Sequence, residues 1–578
     1  MTEFDLVVRG GVVVDGSGGD PFTGDIAIEG GVIRQVGRVA GRGHRELDAD
    51  GAVVAPGFVD IHTHYDAQST WDSRMQPSSW HGVTTAVMGN CGVGFAPAVS
   101  GNHDRLIELM EGVEDIPGVA MQEGLTWQWE SFPDFLDYLD QRRFDIDVAC
   151  QLPHAALRVQ VMGERAAAYA AATDSDVAEM ARLAAEAVDA GAIGFSTSRT
   201  INHKSTSGEI IPSYEASERE LVEIARAIGA TNKGVLQVAN DYDDLDRDFR
   251  LFRAMATASG RPLSLSVAHD RRRPELSRQI LDRITEANND GLTIRAQVPV
   301  RSIGYLLGLQ CTLHPLIMNP VWIAELSALP AAEQARRMQD PALRERILAG
   351  QSAELNQNVI GGRRVQQWEQ MHELSDPPDY EPSPQTSVAS IARRSRRAPI
   401  EVAYDVLIGA EGRAMLYILA TGYENGRLDV ERDMLVHRHT IPGLSDGGAH
   451  VGTICDASFP TFLLQHWVRD RDGDRLSLAF AVQRQARDTA RAAGLTDRGT
   501  LSTGKKADLN VIDMDRLQVH RPEMHFDLPA GGKRLLQRVD GYRHTVVSGV
   551  DTYRDGRPTG ELPGRLQRSR VRPRAEGA

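Results

Sequence analysis

The 578-residue sequence predicts an α/β protein: a (β/α)8 TIM barrel joined to a small β-sandwich domain built by both chain ends. Two observations carry this. Eight β-type runs alternate with amphipathic stretches through the middle of the chain, as parallel strands with crossover helices require. At both ends, short apolar runs broken by glycine turns replace that alternation.

The eight runs are 59–64, 84–90, 147–153, 192–197, 235–239, 263–268, 292–298 and 439–444. Between them, segments such as 176–190 and 220–228 carry apolar residues at three- and four-residue spacing, the period of a helix with one buried face. Leu6-Val7-Val8, Val12-Val13-Val14 and Ile26-Ala27-Ile28 each lead into glycine, and a matching pattern returns at 507–513, 544–549 and 552–556. The expected organisation is therefore a β domain begun by 1–57, a barrel over 58–501, the rest of the β domain over 502–564, and a tail over 565–578. The basic tail has no apolar period and reads as a frayed end. About 302–438 is too long for one barrel helix and is expected to be an insertion that shapes or covers the barrel mouth.

Composition narrows the function. With 41% hydrophobic and 25% charged residues the chain has the makings of a large core. Its 64 basic against 79 acidic side chains leave a net charge of −15, which disfavours nucleic acid and anionic membrane as partners. No signal-peptide core and no apolar run long enough to span a bilayer stand out, so a cytoplasmic location is expected. Four cysteines are too few to staple so long a chain. A small molecule is the expected partner, met by a single chain or a homo-oligomer.

Barrel chemistry sits at the C-terminal ends of the strands. In Phe58-Val59-Asp60-Ile61-His62-Thr63-His64 two imidazoles stand two residues apart, on one face of an extended chain. The other residues at strand ends are Cys91, His154, residues 196–199, Asn240, His269, Arg301 and Asp446. Zinc takes nitrogen, sulfur and carboxylate ligands, and a catalytic zinc keeps one position open for water. His62, His64, Cys91, His269 and Asp446 supply all three ligand types. Asp446 is also placed to take a proton from an attacking water. Singly, each has a duller reading: a lone cysteine packs, an aspartate before Gly-Gly turns the chain, and His154 hydrogen-bonds its surroundings. Their joint occurrence at one rim favours a metal. His81, His103, His203, His314, His372, His437 and His450 end no strand in the right way and read as non-ligands. The glycine-rich stretches 16–19 and 89–94 lack the lysine of a nucleotide loop and read as turns, the second shaping the rim.

These elements resemble the amidohydrolase superfamily: residues 56–64, 82–92, Ser445-Asp446-Gly447 and Gly504-Lys505-Lys506-Ala507-Asp508. Gly89-Asn90-Cys91-Gly92 is similar to the N-acyl-D-amino-acid deacylase (D-aminoacylase) branch. The resemblance implies hydrolysis of the linear amide of N-acyl-D-amino acids with one or two Zn2+ ions. It also implies His62, His64, Cys91, His269 and Asp446 as ligands, with Asp446 as acid and base. Arg271 stands where members place a lysine that binds the substrate carboxylate. Two departures show. The fifth run ends Ala239-Asn240-Asp241 where members carry a histidine, and residues 194–199 follow a different course. A cyclic-amide hydrolase of the hydantoinase or dihydropyrimidinase kind is the first rival. Such families usually bridge their metals with a modified lysine ending the fourth strand, where this chain has Arg199. A barrel that has lost catalysis is the second.

Overall fold

The eight barrel strands are mostly buried along their length because helices cover one face and the barrel interior the other. In the computed structural model, which describes residues 3–352, 354–356 and 359–569, they are β1 (Phe58–Asp60), β2 (Val83–Met88), β3 (Asp147–Pro153), β4 (Gly194–Arg199), β5 (Val235–Asn240), β6 (Leu263–Ser266), β7 (Ile294–Val298) and β8 (Thr440–Pro442). They pair in parallel in sequence order. Every residue of β2 and β3 is buried. Past the short β1 and β8 the barrel closes, with a parallel bridge between Thr63 and Gly447 and a hydrogen bond from His64 N to Gly447 O at 2.8 Å. Residues 61–64 and 443–444, expected as strand, are therefore seam and rim rather than ladder.

The crossover helices start where the sequence caps them. Helix Asp174–Ala190 opens on a reciprocal Thr173–Asp176 capping box and stops at Gly191, whose φ of 125° few side chains tolerate. Its Val177, Met180, Ala184, Ala187 and Val188 are buried against the barrel, each Val contributing about 1.5–3 kcal/mol by leaving water.

Both chain ends join one nine-stranded sheet. Strand Val53–Pro56 lies between Glu3–Val13 and Leu509–Ile512, with Ala55 opposite Asn510. Leu6, Val8, Ile26, Ile28, Val54, Leu509, Val511 and Val546 form its core. The insertion holds a three-stranded antiparallel sheet, Gly304–Leu307, Leu416–Leu419 and Met371–Glu373. With its helices it encloses a second core that includes Leu307, Met338, Ile347, Tyr404 and Ile418.

One expectation is corrected. The basic segment after Arg565 does not fray at its start: Leu566 is buried and bridged to Val148, and Ser569 N donates to Gly191 O at 2.9 Å. Leu566 anchors the backbone while the Arg565 and Arg568 side chains are half-buried beside it. Residues 570–578 lie outside the described residues. Among the described residues no helix is long and apolar enough to cross a membrane.

Candidate metal centre

Beyond β1 the extended chain carries His62 and His64 into the barrel mouth, both 1% exposed. Each ring has its Nδ1 beside an acceptor. His62 Nδ1 meets Gln297 Oε1 at 2.6 Å, and His64 Nδ1 lies 3.2 Å from Glu114 Oε1. Gln297 sits on β7 and is itself oriented by its amide nitrogen, which donates to Ser264 Oγ at 2.9 Å. A proton on each Nδ1 leaves the Nε2 lone pairs free, and these converge. His62 Nε2 is 3.2 Å from Cys91 Sγ and 3.4 Å from Asp446 Oδ1, while His64 Nε2 is 3.8 Å from that same oxygen. Ligand atoms of His62, His64 and Cys91 all lie within 4.8 Å of one another.

Cys91 is delivered by a turn that few other sequences would make. Gly89, Cys91 and Gly92 all have positive φ, at 76°, 54° and 69°. A Cβ on Gly89 would come within 2.2 Å of the Gln151 carbonyl oxygen, so the position admits only glycine. Asn90 clamps the turn by donating to Thr63 O and Val87 O and accepting from Gln151 Nε2. Gln237 Oε1 on β5 accepts from Cys91 N at 3.1 Å, and Ser196 Oγ on β4 accepts from Gly92 N at 2.9 Å.

Burial dominates the electrostatics of this cluster. Burial pushes the carboxyls of Asp60, Asp66 and Asp446 up to about 7 each. Burial, then the Asp446 and Asp66 charges, push Glu114 well above the carboxylate range, and burial with Glu114 and Asp446 does the same to the Cys91 thiol. Burial lowers His62 to about 4 and His450 to about 3, so neutral, lone-pair-bearing imidazoles predominate at neutral pH. Asp446 Oδ1, buried between two imidazole nitrogens, has no hydrogen-bond partner. An excess of buried acids, neutral histidines, a thiol and an orphaned carboxylate oxygen fit a divalent cation.

A sequence profile of the amidohydrolase family matches residues 45–553. The chain belongs to that family. It is 27% identical over 575 residues to the D-aminoacylase of Alcaligenes xylosoxydans xylosoxydans, covering 97% of both chains. It is also 27% identical over 572 residues to the N-acyl-D-glutamate deacylase of the same organism, covering 98% of this chain and 97% of that one. Among solved structures, the N-acyl-D-glutamate deacylase of Bordetella bronchiseptica, complexed with zinc and a phosphonate inhibitor, superposes with a TM-score of 0.65 at 22% identity, over 98% of this chain and all of that one.

Within this amidohydrolase, not every expected residue joins the cluster. His269 is buried at the end of β6 but turns to Ser277 Oγ at 3.1 Å and, through Nε2, to Glu424 Oε1 of the insertion at 2.9 Å. Asn240, where a family histidine was expected, donates to Asp248 Oδ2 at 2.8 Å. Arg271 is exposed, and its guanidinium reaches the insertion at Gln370, whose amide oxygen accepts at 2.8 and 3.0 Å. His154 hydrogen-bonds Thr197 and Glu220, the latter also held by Arg158, in a buried network outside the barrel mouth. Arg301 pairs with Asp456 at 2.7 Å and lies 3.8 Å over the Tyr380 ring. Of residues 196–199, Ser196 serves the Cys91 turn, and Ser198 Oγ meets His203 Nδ1 at 2.8 Å.

Sequence reasoning missed Gln297 and Glu114 behind the two rings and set His450 aside as a non-ligand. His450 Nε2 lies 3.9 Å from Asp446 Oδ2 and 3.5 Å from Glu114 Oε2. His450 follows Asp446 by four residues, and that spacing was its available signal. Glu114 ends a helix far from any strand run, and nothing local marks it.

Proposed function

We propose that this amidohydrolase is a zinc enzyme that cleaves the amide of N-acyl-D-amino acids to a carboxylate and a free amino acid. The observation that carries the reading is Asp446 Oδ1, buried without a hydrogen-bond partner and facing His62 Nε2 at 3.4 Å and His64 Nε2 at 3.8 Å. His62, His64, Cys91 and Asp446 are the groups that would hold the ion. When bound there, zinc supplies Lewis acidity for the acyl carbonyl and acidifies water. Asp446 accepts a proton from the attacking water and returns it to the leaving amine nitrogen, the role of a largely buried carboxylate positioned at the reacting atoms.

Arg271 is the proposed grip for the substrate carboxylate, since a guanidinium binds a carboxylate through two parallel hydrogen bonds. His269 is left outside the ligand set because its Nε2 faces Glu424. The barrel over 58–501 carries the chemistry in this reading, and the insertion over 302–438, which supplies Gln370 and Glu424, walls the acyl pocket. The names of the full-length relatives support the D-amino-acid class. No lysine ends β4, which counts against the cyclic-amide rival. Four unpaired, buried cysteines support a cytoplasmic setting.

The test is hydrolysis of N-acetyl-D-methionine and N-acetyl-L-methionine by zinc-reloaded protein, with Asp446→Asn as control. D-selective release that disappears in the variant is expected. No release from acetyl, longer-chain acyl and acidic D-substrates, with zinc bound, overturns the reading.

A further inference from the structure

Helix His103–Glu114 buries Leu106, Ile107, Leu109, Met110 and Val113, and then, as its last residue, Glu114 at 1% exposure. A carboxylate is doubly disfavoured there. It loses water, and it sits at the end of a helix whose unpaired carbonyls already carry partial negative charge. Among the described residues no arginine or lysine lies within ion-pair distance of it; its ion-pair contacts are His64 and His450. An apolar residue would have packed at less cost.

The helix end is also pinned. Glu114 O accepts from His450 N, and the next residue, Asp115, turns the chain at a φ of 52° while accepting from Gly452 N at 3.1 Å and Thr312 Oγ1 at 3.0 Å. The carboxylate is thereby locked to the loop that follows Asp446. Its Oε1 is 3.2 Å from His64 Nδ1, a hydrogen-bond separation, yet neither His64 Nδ1 nor Glu114 Oε2 makes a hydrogen bond of good angle.

We infer that Glu114 is a positioning residue for the metal centre. Ionised when a cation offsets its burial, its carboxylate would accept the His64 Nδ1 proton, leave Nε2 free to ligate, and hold His450 beside Asp446. The inference rests on the proposed metal reading. A carboxylate behind a ligating histidine fixes the ring and raises its basicity. His62 has only the neutral amide of Gln297 in that place, so the two imidazoles are unequal partners and His64 is the stronger donor.

The test measures zinc affinity by chelator competition, and the absorption spectrum of the cobalt-substituted protein, for wild type, Glu114→Gln and Glu114→Ala. Zinc should bind roughly 10–100-fold more weakly to Glu114→Ala, as loss of such a partner typically produces. The near-isosteric Glu114→Gln should show a smaller loss and a shifted cobalt spectrum, with the melting temperature of the metal-free protein undiminished. If Glu114→Ala fails to fold, Glu114→Gln decides. Unchanged zinc affinity and cobalt spectrum in the folded variants would overturn the inference while leaving the metal reading intact. Failure of the wild type itself to hold stoichiometric zinc would overturn both.

Discussion

Asp446 meets His62 twice across the barrel seam: its backbone N–H donates to the His62 carbonyl at 3.1 Å, and its Oδ1 faces His62 Nε2 at 3.4 Å. The first contact closes the barrel and the second builds the site. Side chains that follow the first and last strands come together only when the sheet is complete, so this cluster cannot assemble ahead of the fold.

Asp446→Asn keeps the shape of the side chain and removes its anion and proton-accepting capacity. We expect kcat/KM to fall by about 10²–10⁴, the usual worth of a positioned acid–base group, mainly through kcat. Steady-state kinetics with an N-acyl-D-amino acid check this, and an undiminished rate would remove Asp446 from the role.

Chelation should abolish hydrolysis and zinc should restore it. In His62→Ala and Cys91→Ser, restoration should fail or need much more zinc, while circular dichroism stays native. Metal analysis of the dialysed proteins gives the direct comparison, and wild-type zinc content in both variants would contradict the assignment.

Glu431, in the insertion helix Asp429–Val436, is fully buried with the Thr421 hydroxyl 3.2 Å from its carboxyl. Burial raises it from 4.5 to about 8. The folded state therefore holds this proton where the unfolded state has released it. The resulting stability is complete below about 4.5 and is lost as pH rises through about 8. At 1.36 kcal/mol per unit the loss is on the order of 4–5 kcal/mol. Glu431→Gln should flatten the fall in melting temperature across that window and be the more stable protein at pH 9. An unchanged pH profile would show that the carboxyl ionises without cost.

Arg301 and Asp456 form a pair that is 1% and 2% exposed on the side chains, where β7 enters the insertion. Removing one partner leaves a buried charge, so Arg301→Met should cost about 3–5 kcal/mol. The double variant with Asp456→Leu should recover part of that loss. Urea unfolding of the four proteins gives the coupling, and additive losses would mean the pair is not coupled.

Much of the fold was legible because its signals are local. The strand runs show as short apolar stretches, the helices as three- and four-residue spacing, and the two ends as glycine-punctuated strands. The rim was legible where a motif is itself geometric. His-x-His puts two rings on one face, and Gly89-Asn90-Cys91-Gly92 can turn only with glycine at positive φ. His62, His64 and Cys91 could be read this way, and Asp446 from its place just after the eighth run.

By itself, then, the sequence determined the barrel, the strand ends and four of the groups that converge there, since each depends on periodicity or a turn within a few residues. Only the tertiary structure decided that His269 turns to Glu424, that Arg271 meets Gln370, and that Glu114 and Gln297 stand behind the two histidines. Those contacts join elements far apart in the chain, the insertion or a helix against the barrel, and their direction follows from packing and burial that no local pattern encodes.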